Sequence, residues 1–381
     1  MSDKKFQLIN GDAEEVLSKF PDNFFQCCTT SPPYYKLRNY FEEDQLGQEE
    51  TPEEYVEKLV FIMRKVKRVL RKDGVCWLNI GDSYNSSSGF IRNKGKWKRK
   101  GREKGSADKK VIKHPDIKTK DLIGIPWSVA FALRKDGWYL RQDVIWSKKN
   151  TLPDGAKDRP CRAHEYIFQL TKSSKYFYDY FAIMEASVSK RRSGGGFGAK
   201  VQEGTFRMDQ DRTFTDYGVR QKRSVWSYPV SRSGRDHYAT YTIELINDCV
   251  ASSVSEKGCC PKCRAPWKRK LKKIKVIREN SIRDVVKNDI FDGSIPKVNL
   301  QKEEYIDKLI STGWEPTCKC EIKETIPCLV LDPFNGSGTT GVVAHLKSAN
   351  YVGIDLNKKY IKLSRERLLK DIFVEEVNFN E

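Results

Sequence analysis

The sequence lacks the features of a membrane protein or a secreted protein. None of its apolar runs approaches the roughly 18 residues that a membrane-spanning helix needs, and 32% of its 381 residues are charged. The first ten residues contain no apolar signal region, so we expect a cytoplasmic protein without a membrane partner. Eleven cysteines in a reducing compartment favour free thiols or metal ligands over disulfides.

Negative charge is in deficit. The chain carries 70 Lys and Arg against 51 Asp and Glu, which gives a net charge of +19. Residues 91–120 alone hold thirteen basic and three acidic residues. Such a surplus favours a polyanionic partner, nucleic acid first, although a charge run is also typical of a solvated loop. The Ser, Gly and Lys content of residues 85–120 predicts a mobile insertion.

Helical and strand patterns alternate along most of the chain. Thr51, Pro52 and Glu54 form a capping box with proline at the first helical position, which predicts a helix that Gly74 ends. Buried strands are predicted over residues 24–28, 75–80, 138–146, 166–170, 175–180, 328–331 and 351–354. This alternation predicts βαβ units, and therefore an α/β fold with a mainly parallel sheet.

A stiff loop follows the buried strand at residues 24–28. Residues 29–35 read Thr-Thr-Ser-Pro-Pro-Tyr-Tyr, and two consecutive prolines cannot continue a central strand because each lacks an N–H and fixes φ. In an open α/β sheet, ligands bind at the carboxyl ends of the strands. The loop therefore indicates a functional site, with a plain proline-rich turn as the alternative.

A glycine-rich turn follows the strand at residues 328–331. Gly336, Gly338 and Gly341 have the spacing of a dinucleotide-binding fingerprint, and the next strand ends at Asp355, where a carboxylate can accept hydrogen bonds from both hydroxyls of a ribose. This unit predicts an adenosine-containing cofactor. NAD and S-adenosylmethionine both fit, whereas a P-loop does not, because no Lys-Ser or Lys-Thr pair follows the second glycine.

The two loops together resemble the hallmark motifs of the amino-methyltransferases that modify exocyclic amines in DNA. Residues 31–34 match the catalytic loop and residues 332–339 match the S-adenosylmethionine turn. Their order resembles the circularly permuted β-class. The resemblance implies a Rossmann-like S-adenosylmethionine methyltransferase sheet, circularly permuted, with inserted target-recognition and Cys-rich segments. One departure is Thr242, where the family usually has proline.

The resemblance also implies roles for individual residues. The Ser31 hydroxyl and the Pro32 carbonyl would accept hydrogen bonds from the target amine, while Tyr34 would stack on a base flipped out of the duplex. The catalytic residues are Ser31, Pro32, Pro33 and Tyr34. Those expected to bind the cofactor are Asp12 near the adenine, Asp332 and the turn at Gly336, Gly338 and Thr339 on the methionine moiety, Phe334 beside it, and Asp355 on the ribose.

The substrate implied is double-stranded DNA. Ser-Pro-Pro-Tyr loops in this family resemble those acting on N4 of cytosine, and N6 of adenine is the alternative base. A restriction-modification system would add a cognate restriction endonuclease as a partner. An RNA substrate, or a nucleic-acid-binding protein that keeps the fold without turnover, also remains open. An NAD oxidoreductase would need an acid or a base for its substrate near the glycine turn, and the sequence points to none there.

Two close pairs of cysteines predict a structural zinc site. Two residues separate Cys260 from Cys263, and one residue separates Cys318 from Cys320. The four thiolates could therefore form a tetrahedral set. Cys259 is an alternative to Cys260, and reduced thiols without metal are the alternative to zinc. The four histidines give no indication of an open catalytic metal site.

These patterns divide the chain into segments of different expected function. We expect a catalytic half at 1–185, a target-recognition region at 186–232, a cofactor-side helix at 233–257, a Cys-rich zinc-binding insertion at 258–321 and an S-adenosylmethionine-binding half at 322–381. Candidates for phosphate or guanine contacts are Arg191, Arg192, Arg207, Arg220 and Arg223. The lysine-rich tract at 268–275 and residues 91–120 are candidates for phosphate contacts.

Overall fold

The computed structural model describes residues 6–37, 45–85, 116–151, 156–186, 219–230, 241–277 and 305–378. These belong to two compact units, one of residues 1–182, 223–268 and 316–381, the other of residues 183–222 and 269–315. Most of the predicted insertion at 85–120 and of the target-recognition region at 186–232 lies outside the described residues, as do Arg191, Arg192 and Arg207. The functional division of the chain stays a prediction.

Strands and helices alternate in the first unit. The strands of the two units, in chain order, are β1 (Phe6–Asn10), β2 (Phe25–Thr30), β3 (Leu70–Ile80), β4 (Tyr139–Lys148), β5 (His164–Thr171), β6 (Glu185–Ala186), β7 (Val219–Arg220), β8 (Val225–Tyr228), β9 (Trp267–Ile277), β10 (Tyr305–Pro316), β11 (Leu329–Asp332) and β12 (Asn350–Asp355). The α-helices are α1 (Ala13–Ser18), α2 (Pro52–Val69), α3 (Ile125–Lys135), α4 (Ile243–Ser253), α5 (Thr339–Leu346) and α6 (Lys358–Asn378).

The main sheet has eight strands in the order β1-β12-β11-β2-β3-β5-β4-β8. Neighbours from β1 through β3 are parallel, and so are β4 and β8. Strand β5 runs antiparallel to both of its neighbours. The sheet is therefore mainly parallel, as expected, and mixed only through the antiparallel strand β5. Two two-stranded sheets, β6-β7 and β9-β10, accompany it.

Helices cover both faces of the main sheet because its central strands are buried on both sides. In β2, the consecutive residues Cys27 and Cys28 contribute to opposite hydrophobic cores, as the alternation of side chains along a strand requires, while Phe25 precedes a register shift and joins the core of Cys28. Helices α1, α2 and α3 pack into the first core, and α4, α5 and α6 into the second. Within the described residues, no helix has the length and apolar character needed to cross a membrane.

The predicted capping box starts helix α2. The Thr51 hydroxyl accepts a hydrogen bond from the Glu54 backbone N–H at 3.2 Å, and the Glu54 carboxylate accepts one from the Thr51 N–H at 3.4 Å. The predicted end of this helix was wrong, because α2 ends at Val69 and Gly74 lies inside β3. A Cβ on Gly74 would lie 3.0 Å from the Gln26 carbonyl oxygen, so glycine allows β3 to pass close to β2.

The strand predicted at residues 175–180 is also wrong. The backbone N–H of Phe177 donates to the Asp73 carbonyl at 2.9 Å, and that of Asp179 donates to the Ser252 carbonyl at 2.9 Å. These N–H groups bond singly to a residue of β3 and to the end of α4, and the segment forms no continuous ladder with a sheet. It leads instead into a short 3₁₀-helix at Tyr180–Ile183.

The parallel strands bring four loops to one edge of the sheet. Strands β1, β12, β11 and β2 are consecutive neighbours, so the loops after them all leave from the carboxyl edge, where ligands bind in α/β folds. One hydrogen bond joins two of these loops directly, from the Gly11 N–H to the Asp355 carbonyl at 3.1 Å. The loop with the two prolines and the glycine turn thus face the same space.

Candidate active site

A cavity of about 1140 Å³ opens at this carboxyl edge. Nine of the eleven residues predicted for catalysis or cofactor binding line it, namely Asp12, Ser31, Pro32, Pro33, Tyr34, Phe334, Gly336, Thr339 and Asp355. The two predicted residues that do not line it are Asp332 and Gly338. The cavity is large enough for a small molecule of cofactor size together with a base.

Helix α2 and Gly47 hold the catalytic loop in place. The Tyr55 hydroxyl donates a hydrogen bond to the Pro33 carbonyl at 2.9 Å. Gly47 has a left-handed φ of 94°, and a Cβ there would lie 3.0 Å from the Tyr34 carbonyl oxygen. The prolines restrict φ and these contacts fix the remaining freedom, so the loop presents Ser31 and Tyr34 to the cavity in one arrangement.

A polar network surrounds the hydroxyl of Tyr34. This hydroxyl donates to a Glu165 carboxylate oxygen at 2.8 Å and accepts from the Asn79 amide at 2.8 Å and from the Ser31 hydroxyl at 3.3 Å. The other Glu165 oxygen is paired with the Lys148 ammonium. Burial, and then the nearby Glu165 carboxylate, raise the pKa of Tyr34 well above its usual value, so the phenol stays protonated and acts as a donor to Glu165.

The sequence analysis missed three members of this network, Asn79, Lys148 and Glu165. Asn79 is a buried amide within the apolar run of β3, and that local irregularity is a signal that the sequence does carry. Glu165 is a different case. It reaches the site because β5 runs antiparallel and places Glu165 beside Trp146 near the end of β4, an arrangement that residue spacing does not reveal.

Asp355 connects the end of β12 to the glycine turn. One carboxylate oxygen accepts from the Gly336 N–H at 2.7 Å and the other from the Asn357 N–H at 2.9 Å. Asp355 also lines the cavity. Gly336 has a left-handed φ of 50°, which directs its N–H at Asp355.

The Asp332 carboxylate is buried and is used entirely within the protein. One oxygen accepts from the Thr30 hydroxyl at 2.6 Å and from the Phe334 N–H at 3.1 Å, and the other accepts from the hydroxyls of Tyr241 at 2.9 Å and Thr340 at 2.8 Å. Burial raises its pKa, and these donors oppose the rise. With four acceptor positions filled, the predicted contact of this side chain with the methionine moiety does not fit the geometry.

Gly338 and Asp12 have structural contacts of their own. Gly338 precedes α5 with a φ of 79°, and a Cβ there would lie 2.3 Å from the Ser364 hydroxyl oxygen, so glycine is needed for packing against α6. Asp12 caps α1 by accepting from the Glu14 and Glu15 N–H groups at 2.8 and 3.2 Å. Asp12 also lines the cavity, whereas Gly338 does not.

The two cysteine pairs come together as predicted. The sulfur atoms of Cys260, Cys263, Cys318 and Cys320 all lie within 4.8 Å of one another. A tetrahedral zinc ion with bonds of about 2.3 Å places its sulfur ligands roughly 3.8 Å apart, so the donor set fits zinc. Burial opposes ionisation of Cys260, but the N–H groups of Cys263 and Lys262 prevail and lower its pKa to about 7.

Cys259 takes no part in this cluster. Its backbone pairs with Ile326, with the Cys259 N–H donating to the Ile326 carbonyl at 2.8 Å, and its side chain belongs to a hydrophobic core. The cysteine turn is also tied to the sheet by the buried side chain of Gln26. That amide donates to the Arg264 carbonyl at 2.9 Å and accepts from the Leu329 N–H at 2.7 Å.

Comparison with known proteins places these features in context. A family model described as DNA methylase matches residues 25–260 and 324–366. The type II methyltransferase M.XycI of Xanthomonas campestris pv. cyanopsidis is 34% identical over 365 residues, which cover 95% of this chain and 87% of that protein. For M.SmaI of Serratia marcescens the identity is 32%, with coverage of 96% and 91%.

A solved structure shares the fold. The PvuII DNA methyltransferase, described as cytosine-N4-specific, aligns with a TM-score of 0.51 and 14% identity, over 94% of this chain and 85% of that chain. At this level of identity the likeness concerns the arrangement of the mixed sheet and its helices.

Proposed function

Since the chain belongs to the N6/N4 DNA methylase family, we propose that it transfers a methyl group from S-adenosylmethionine to the N4 amine of cytosine in double-stranded DNA. The observation that carries this proposal is the cavity that the Ser-Pro-Pro-Tyr loop and the glycine turn share. A methyl donor bound at the turn and a base held at the loop would meet in that space.

The catalytic loop prepares the amine for attack. An exocyclic amine on an aromatic ring is a poor nucleophile because its lone pair is delocalised into the ring. The Ser31 hydroxyl oxygen and the Pro32 carbonyl would accept hydrogen bonds from the two amine hydrogens and so make the lone pair available. Holding nitrogen, methyl carbon and sulfur in line is worth on the order of 7–11 kcal/mol of the barrier when the alignment is ideal.

Transfer forms a nitrogen–carbon bond and breaks the carbon–sulfur bond, whose electron pair stays on sulfur. The methylated amine then carries one proton too many. Hydrogen bonds lead from Ser31 through the Tyr34 hydroxyl to Glu165, and the Glu165 carboxylate is the acceptor at the end of this path. The network also fixes the plane of the Tyr34 ring, on which a flipped-out base would stack.

The methyl donor would be held at the opposite side of the cavity. Asp355 would accept hydrogen bonds from the ribose hydroxyls, with Phe334 beside that space and Asp12 lining it near the end of β1. The backbone from Gly336 to Thr339 supplies the close approach that glycines permit. In this scheme Asp332 positions the turn. Its carboxylate accepts hydrogen bonds from Thr30 at the end of β2 and from Tyr241, and its acceptor positions are filled within the protein.

The choice of cytosine N4 rests on Ser31 at the first position of the loop. Adenine N6 is the second candidate, because the same two acceptors would serve either amine. The relatives M.XycI and M.SmaI carry the name type II methyltransferase, which favours a role in a restriction-modification system with a cognate endonuclease. A binding protein without turnover is disfavoured by the polar network around Tyr34.

We also propose that Cys260, Cys263, Cys318 and Cys320 hold a structural zinc ion. Four thiolates leave no coordination position open for a substrate, so such an ion would act on stability and not on the reaction. Its effect would reach the sheet through Gln26, which bonds both the cysteine turn and the first residue of β11.

The test of the reaction is direct. The purified protein is incubated with S-adenosylmethionine labelled in its methyl group and with duplex DNA of mixed sequence, and the digested nucleosides are identified by mass spectrometry. We expect label in N4-methylcytosine. Label in N6-methyladenine would refute the assigned base while keeping the mechanism, and label on RNA but not DNA would refute the substrate.

A further inference from the structure

Strands β9 and β10 form a two-stranded ribbon that the cysteine pairs flank in the sequence. Cys263 lies four residues before Trp267, where β9 begins, and Cys318 lies two residues after Pro316, where β10 ends. The Thr317 hydroxyl donates to the Pro266 carbonyl at 2.7 Å, so the chain segments entering and leaving the ribbon are already bonded. A metal ion on the four cysteines would fix them further.

Strand β9 is strongly basic. Its eleven residues include five lysines and one arginine and no acidic residue. Lys268, Lys270 and Lys272 are exposed and alternate along the strand, and alternate residues of a strand project from the same face. Their positions are therefore spaced by about 6.8 Å along that face, twice the rise per residue of an antiparallel strand. Three exposed lysines thus share one face of the strand.

The other face of the ribbon is ordered by side-chain packing. The Arg269 guanidinium lies over the Trp314 ring, 4.3 Å from its centroid, and donates to the Ser311 hydroxyl at 3.4 Å. These contacts join β9 to β10 across the ribbon. The lysine row is thus carried on a two-stranded support with a defined back face, unlike a charge run in a solvated loop.

We propose that the β9–β10 ribbon is a contact surface for the DNA phosphate backbone, separate from the cavity in which the base reacts. The inference rests on the proposed function only in taking DNA as the substrate. A row of lysines matches a polyanion and carries no base-reading geometry, so the ribbon would add affinity without sequence preference. The net charge of +19 accords with such a backbone-directed component.

The test compares two variants with equal changes of charge. In the ribbon variant Lys268, Lys270 and Lys272 are replaced by Glu. In the control variant the same replacement is made at Lys359, Lys362 and Lys370, which are exposed on α6. Binding to a fluorescent DNA duplex is followed by anisotropy over a range of salt concentrations, and S-adenosylmethionine binding by calorimetry reports that each variant is folded.

We expect the ribbon variant alone to lose about tenfold or more in DNA affinity, with unchanged binding of S-adenosylmethionine. The slope of its plot of log Kd against log salt concentration should decrease by up to about 2.7, the amount expected for three lost phosphate contacts. Equal losses in both variants, or an unchanged salt slope in the ribbon variant, would overturn the proposal. A milder variant with Gln at the three ribbon positions covers the case in which Glu disturbs the strand.

These readouts are independent of methyl transfer. If wild-type protein binds duplex DNA through the ribbon but leaves no label on it, the proposed reaction fails and the ribbon proposal stands. If DNA is methylated and the ribbon variant binds as wild type does, the reaction stands and the ribbon proposal fails.

Discussion

The proposed methyl transfer and the proposed choice of cytosine as the target base both depend on Ser31. Its hydroxyl is linked to Tyr34 at 3.3 Å and to the Asn79 amide at 3.4 Å, and both contacts are long enough to yield to a stronger partner. In Ser31→Ala we expect kcat to fall by about 100-fold or more, the scale of a lost proton-handling group. Binding of S-adenosylmethionine should stay within about twofold. Steady-state kinetics and calorimetry check both numbers, and wild-type turnover would remove Ser31 from the mechanism.

Tyr34 contributes both a ring and a hydroxyl, and two substitutions separate them. In Tyr34→Phe the ring can still stack, but the bond to Glu165 at 2.8 Å is lost, so we expect kcat to fall by about 10- to 100-fold with little change in KM for DNA. In Tyr34→Ala the loss of stacking, about 1–3 kcal/mol for one base, should raise KM as well. Equal effects of the two variants on kcat and KM would contradict this division.

Asp332 and Asp355 are both near the turn, but their contacts predict different defects. Asp332→Ala removes the buried carboxylate that accepts from the hydroxyls of Thr30, Tyr241 and Thr340, so we expect a loss of about 3 kcal/mol or more in the free energy of unfolding. Asp355→Ala should cost less stability, because Asp355 is only partly buried. It should weaken S-adenosylmethionine binding about 10- to 100-fold. Urea unfolding and calorimetry measure both quantities, and the reverse pattern would refute the two roles.

Most of the residues that the sequence motifs predicted do line the cavity, but the motifs misread one carboxylate. The motif places Asp332 in the turn, and nothing in the spacing shows that Thr30 and Thr340 saturate it. Glu165 was missed for the opposite reason, since it lies far from either motif in sequence. Its role depends on a neighbour across the sheet, and such pairing follows from tertiary structure.

At the scale of elements, loss of a metal ion from the cysteine cluster should lower the stability of the main sheet. We expect one zinc ion per chain by atomic emission, and a lower Tm when a strong chelator removes it, because binding free energy of a structural metal is stability. Cys318→Ser should have the same two effects. Cys161→Ser is the matched control, because Cys161 is exposed and outside the cluster. Full stability without metal would leave the cysteines as plain thiols.

Local patterns predicted the existence of most helices and strands better than their ends. The capping box at Thr51 marked the start of α2 because capping is a local interaction. The end of α2 was misplaced because glycine is ambiguous: Gly74 serves the close approach of β3 to β2 and does not cap the helix. The strand predicted at residues 175–180 failed because the N–H groups of Phe177 and Asp179 bond singly to β3 and to the end of α4, which propensity does not encode.

At the scale of the whole molecule, the main sheet joins the two ends of the chain. Strand β11 pairs with β2 on one side and with β12 on the other, and β12 pairs with β1. The order of the two motifs in the sequence, together with the resemblance they carry, predicted that the turn near residue 336 would face the loop near residue 31. Periodicity alone did not, since strand order is not a property of any single segment.

The charge of the whole chain predicts that its two ligands respond differently to salt. DNA binding releases counterions, and a protein with six to ten phosphate contacts loses about 10³- to 10⁵-fold in affinity between roughly 50 and 200 mM salt. With a net charge of +19 we expect this protein to fall in that range. The expected cofactor contacts at Asp355, Phe334 and the glycine turn are hydrogen bonds and packing at a partly enclosed cavity, so the Kd for S-adenosylmethionine should change less than about threefold over the same interval. Anisotropy and calorimetry on one protein preparation measure both constants. A flat DNA response would mean that the basic surplus is a solvated surface without a role in binding.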